Sequence, residues 1–107
     1  MEENKSKKNQ LNIELSEEVA QGTYSNLAII THSSSEFVLD FVRIMPGIQK
    51  ANVKSRIILT PEHAKRLLMA LQDNIQKFEA MHGSIKVQAG HDPMIPPINF
   101  GGPVPEA

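Results

Sequence analysis

Thr60 to Gly83 reads TPEHAKRLLMALQDNIQKFEAMHG, and this stretch decides the architecture. Thr60 suits an N-cap, and Pro61 suits the first helical position, where a missing N–H costs nothing. Ala64, Leu67, Leu68, Leu71, Ile75 and Phe78 recur at steps of three and four, which sets them on one stripe of a helix. Lys65, Arg66, Gln72, Asp73, Gln76, Lys77 and Glu79 take the other side. Gly83 supplies the left-handed C-cap position. The pattern predicts a helix over 61–82.

Upstream the period changes to two. Leu11, Ile13 and Leu15 alternate with Asn12 and Glu14, which reads as a short strand. Tyr24 to Thr31 (YSNLAIIT), Glu36 to Met45 (EFVLDFVRIM) and Ala51 to Leu59 (ANVKSRIIL) are rich in β-branched and aromatic residues. Ser33-Ser34-Ser35 and Pro46-Gly47 supply the turns between them. Links this short imply antiparallel pairing. The expected fold is therefore α+β: an antiparallel meander of three to four strands, followed by one long amphipathic helix packed on one face.

Charge selects the register of the last two strands. Pairing Met45 with Ala51 sets Phe37, Leu39 and Phe41 opposite Leu59, Ile57 and Ser55, an apolar face for the helix. The same register puts Asp40 beside Arg56 and Val42 beside Lys54 on the other face. A slip of one residue would carry Lys54 and Arg56 under the helix, which is costly for unpaired charges. That other face also holds Val38, Val42, Ile44 and Ile58, more aliphatic side chains than a solvent face usually shows. These four are the interface candidates for a second copy, and a homodimer or larger homo-oligomer is expected.

The chain has 107 residues, enough for one small domain. Apolar residues make up 40%, with no Trp, one Tyr and four Phe, so the core must come from Ile, Leu, Val and Met. Residues 1–10 (MEENKSKKNQ) read as a disordered polar tail, residues 11–83 as the single α+β domain, and residues 84–107 as an extended tail. Five of the seven prolines (Pro93, Pro96, Pro97, Pro103, Pro105) lie in that last segment, which predicts polyproline character. Its apolar side chains, Met94, Ile95, Ile98, Phe100 and Val104, are spaced by prolines and suit a groove on a protein partner. No apolar run approaches a membrane span, and the Lys-dotted start lacks a signal-peptide core, so a cytoplasmic, membrane-free protein is expected.

Eleven basic and twelve acidic residues give a net charge of −1, but their distribution is uneven. From Leu11 to Val42 there are five acids and no Lys or Arg. From Arg43 to Arg66 there are six bases against Glu62 alone. Lys50, Lys54 and Arg56 are phosphate-contact candidates, since alternate residues of one strand repeat every 6–7 Å or so. Internal pairing, as between Asp40 and Arg56, is the competing reading. With one Tyr and no Trp, stacking on bases has little to work with.

The residue types of several chemistries are missing or misplaced. No Cys is present, which excludes a disulfide framework, a thiolate nucleophile and Cys-based metal sites. His32, His63, His82 and His91 fall on a turn, a helix start, a helix end and a tail, without the i, i+4 spacing of helical ligands. Thr31 to Glu36 (THSSSE) contains Ser, His and acid, but neighbours in a tight turn rarely point at one another as a triad requires. Ser-rich turns ordinarily bond their own backbone. No Gly-rich phosphate loop occurs. No catalytic residue, metal or cofactor is expected, and the chain reads as a non-enzyme.

Tyr24 to His32 (YSNLAIITH), Glu36 to Phe41 (EFVLDF), Met45-Pro46-Gly47 and Thr60 to Lys65 (TPEHAK) follow one another in an order that resembles the small prokaryotic proteins catalogued as domain of unknown function 3467. The resemblance covers about 13–83. It implies a short cytoplasmic prokaryotic protein and carries no activity with it. The polar members of those motifs are Asn26, His32, Asp40, Arg56 and His63. The function expected is a non-catalytic, oligomeric interaction module, an accessory component docking on a larger cytoplasmic assembly. The alternative is a small transcription- or DNA-linked protein using Lys50, Lys54 and Arg56.

Overall fold

The computed structural model describes residues 10–87. The element order is α1 (Glu17–Ala20), β1 (Leu27–His32), β2 (Phe37–Val42), β3 (Val53–Leu59) and α2 (Pro61–His82). The three strands form one antiparallel sheet in the order β1-β2-β3, with β2 in the middle. Of the expected tails, 1–10 and 84–107, residues 1–9 and 88–107 lie outside the described residues, the Pro-rich groove ligand among them.

Each connection follows local chemistry. The β1–β2 hairpin closes through Ser33, whose N–H donates to the Glu36 carbonyl at 2.9 Å. The Ser33 hydroxyl oxygen accepts from the N–H groups of Ser35 and Glu36 at 3.3 and 3.2 Å. After β2, the Ile48 N–H reaches the Met45 carbonyl at 3.3 Å, with Pro46 second and Gly47 third at φ +80. Proline then a positive-φ glycine is the pattern of a type II turn.

α2 has the limits that its sequence predicts. The Thr60 hydroxyl accepts from the His63 N–H at 3.1 Å, Pro61 opens the helix, and Gly83 at φ +88 donates its N–H to the Glu79 carbonyl at 2.9 Å. Glu62–Arg66 and Asp73–Lys77 form i, i+4 ion pairs on its polar side. Pairs this exposed contribute about 0.3–0.5 kcal/mol each.

Register agrees with the charge argument over most of its length. Phe37, Leu39 and Phe41 face Leu59, Ile57 and Ser55, and Asp40 faces Arg56. At the next step a bulge intervenes, and Val42 pairs with Val53 rather than with Lys54. Lys54 is the extra residue on the bulged strand. The ladder ends there, so the expected Met45–Ala51 pairing does not form.

Two further expectations are corrected. Leu11, Ile13 and Leu15 are exposed and form no strand, because alternation specifies faces but supplies no ladder partner. Instead α1 follows them, capped by the Ser16 hydroxyl, which accepts from the Val19 N–H at 3.2 Å. The second concerns helix packing. α2 follows the sheet as expected, but no residue of it is buried, and its closest approaches to the sheet are mainly to β3, the strand it leaves. One residue, Thr60, separates the helix from the edge strand β3, so its course is set at the rim of the sheet.

Candidate functional site

Directly opposed residues share a face, so the registers define two surfaces. One carries the rows Ala28–Phe41–Ser55, Ile30–Leu39–Ile57 and His32–Phe37–Leu59. None of these nine side chains is Lys, Arg, Asp or Glu. The other face carries Leu27–Val42–Val53, Ile29–Asp40–Arg56 and Thr31–Val38–Ile58.

The second face holds the polar chemistry. Arg56 Nε donates to Asp40 Oδ1 at 2.6 Å, and Nη2 donates to Oδ2 at 2.8 Å. Asp40 is the most buried residue of the sheet, with 1% of its surface exposed. Those hydrogen bonds hold its carboxyl below the usual range, outweighing burial, which pushes the other way, and the guanidinium charge adds to the effect. The same bonds raise the Arg56 guanidinium further above neutrality. Beside this pair, the Thr31 hydroxyl oxygen is buried with no hydrogen-bond partner among the described residues.

The interface candidates separate on inspection. Val38 and Val42 are 6% and 5% exposed, so they already belong to the core of a single chain. Ile44 is half-buried, and Ile58 is 56% exposed. Of the four, Ile58 is the most available to a second molecule. The phosphate-contact candidates separate too. Arg56 is engaged by Asp40, Lys54 is the bulge residue, and Lys50 lies in the loop before β3. The expected row of three cations on one strand is therefore not assembled, because the ladder starts at Val53.

The polar motif residues serve local structure. Asn26 stands one residue before β1, where its Nδ2 donates to the Ile44 carbonyl at 2.9 Å and its Oδ1 accepts from the Ile44 N–H at 2.7 Å. A side-chain amide thus replaces a backbone pair and lengthens the β1–β2 ladder. His32 stacks on Phe37 across the strands, with ring centroids 5.4 Å apart. His63 sits exposed in the first turn of α2, where its backbone N–H completes the Thr60 cap. Among the described residues, no group of three His, Asp or Glu side chains converges, and no hydrogen bond joins His32 to the serines of its turn.

The uncharged face presents the more distinctive surface. Leu39 is buried at its centre, while Ile30 and Ile57 on the flanking strands are 61% and 44% exposed. Towards one end lies an open depression of about 250 Å³ lined by Thr23, Ser25, Phe41, Ser55 and Ile57. Along α2, the five large side chains of the stripe, Leu67, Leu68, Leu71, Ile75 and Phe78, keep between 38% and 54% of their surface exposed. Sequence reading located both apolar surfaces but expected them to cover each other within one chain.

Comparison with known proteins places the chain in a family without adding a chemistry. A family model described as protein of unknown function (DUF3467) matches residues 1–87. No curated protein and no solved structure matches the chain. The matched span takes in the whole sheet and all of α2, and the chain belongs to the DUF3467 family.

Proposed function

We propose that this protein is a non-catalytic, homo-oligomeric interaction module, an accessory component that docks on a larger cytoplasmic assembly. The observation that carries the reading is the 22-residue amphipathic helix with no buried residue. A helix gains most of its stability from packing an apolar face, and an isolated one this long is marginal in water. An exposed apolar surface of that kind marks an interaction site. Engagement of Arg56 by Asp40 favours this reading over nucleic-acid contact, since it removes one of the three candidate cations.

Sedimentation equilibrium of the full chain at micromolar concentration tests the oligomeric half. A dimer or larger species is expected, and a monomer overturns it. The docking half is tested by crosslinking in cells, comparing the full chain with one ending at Ser84. A recurrent partner captured by both places docking on the folded part, and one lost on truncation places it on the Pro-rich segment. No recurrent partner with either overturns docking.

A further inference from the structure

We infer that the uncharged sheet face of one chain is the seat for the α2 stripe of a second copy, so that two chains exchange helices about a twofold axis. This rests on the oligomeric reading above and specifies its contacts. Polarity supplies the first argument. Nine side chains on the sheet face and the six-residue stripe Ala64, Leu67, Leu68, Leu71, Ile75 and Phe78 contain no charge between them. Salt-bridged residues line the opposite side of the helix, and the Asp40–Arg56 pair occupies the opposite side of the sheet. Covering that paired face would desolvate Arg56, so it is the poorer seat.

Placement supplies the second argument. The stripe from Ala64 to Phe78 is about 21 Å long, close to the ~20 Å of the strands, yet its five large side chains keep between 38% and 54% of their surface exposed, so the chain's own sheet leaves it uncovered. Ile30, on the edge strand away from α2, is likewise left largely bare.

Area supplies the third. The half-exposed stripe together with Ile30 and Ile57 offers roughly 600–700 Å² per chain, most of the roughly 800 Å² that each partner of a standard interface buries. Under twofold symmetry, helix meets sheet and sheet meets helix in the same event, so the contact closes and does not propagate into a fibre. The depression bounded by Phe41, Ser55 and Ile57 has room for one large apolar side chain of the incoming helix.

The chain contains no Cys, so introduced thiols are unique. Two full-length single variants, Ile57→Cys and Leu71→Cys, are prepared separately, mixed, allowed to exchange, and treated with a short bismaleimide. The expected product is a mixed crosslink between Ile57→Cys and Leu71→Cys chains, with little product from either variant alone. Unmodified protein should sediment at twice the 11.9 kDa chain mass, and Leu71→Asp should return it to 11.9 kDa. A dimer whose crosslinks join only like positions, helix to helix or sheet to sheet, overturns the exchange and leaves the oligomeric reading standing. So does an intramolecular crosslink, at high dilution, in a chain that carries both Ile57→Cys and Leu71→Cys. A chain that sediments as a monomer overturns both.

Discussion

Arg56 holds Asp40 by two hydrogen bonds, 2.6 and 2.8 Å long, at the one ladder position where a base faces an acid. Asp40 is almost wholly shielded, while the Arg56 side chain keeps 39% of its surface exposed. The pair therefore places a buried carboxylate under a partly solvated cation. Removing the cation strands a buried charge, whereas removing both does not. Arg56→Gln should lower the melting midpoint clearly, and the same change in an Asp40→Asn background should cost much less. A double-mutant cycle by thermal melting measures the difference.

The same pair sets an acid limb. Because its folded pKa is depressed, Asp40 contributes stability in full above the unfolded carboxylate value of about 3.9 and loses it as pH falls through the folded value. Stability should hold steady between about pH 7 and pH 5 and fall below that. Asp40→Asn should flatten the acid limb. Denaturant unfolding across that pH series checks the sign.

Asn26 should matter more than its exposure suggests. Asn26→Ala removes both hydrogen bonds to the Ile44 backbone and should cost about 1 kcal/mol, with faster hydrogen exchange at the Ile44 amide. Asn26→Asp keeps the acceptor and loses the donor, so it should fall between the two.

Gly83 closes α2 at φ 88 and ψ 168, a region open almost only to glycine. A Cβ there would meet nothing within 4 Å, so the cost of Gly83→Ala is backbone strain alone. About 1–3 kcal/mol is expected from chemical denaturation.

Val42 and Ile58 test the division between core and surface. Val42→Asp puts a charge among residues buried within one chain and should prevent folding. Ile58→Asp alters an exposed side chain and should leave the far-ultraviolet circular dichroism unchanged.

Much of this fold can be read from local chemistry. Thr60-Pro61 and Gly83 bracket α2 because caps are decided by a few adjacent residues. Asp40 and Arg56 align β2 with β3 because a one-residue slip reverses every side chain. Other features escape that reasoning. The bulge at Val53–Lys54 arises where the connection from β2 rejoins the sheet, which no pattern of polarity records. Ser16 followed by Glu17 and Glu18 is a short capping signal that the alternation of Leu11, Ile13 and Leu15 obscured. The apolar stripe of α2 announces that a covering surface exists. Its periodicity has no means of naming the chain that supplies it.

The one-residue joint at Thr60 makes α2 a lever. With no loop to absorb rotation, any change in the twist of β3 passes directly into the direction of the helix. A tilt of about 10° at Pro61 carries His82, some 33 Å away, through about 6 Å. Bulge, strand and helix follow one another within thirty residues, so a substitution at Lys54 that relaxes the twist should be read most sensitively at the far end of α2, in the position of Phe78 and His82.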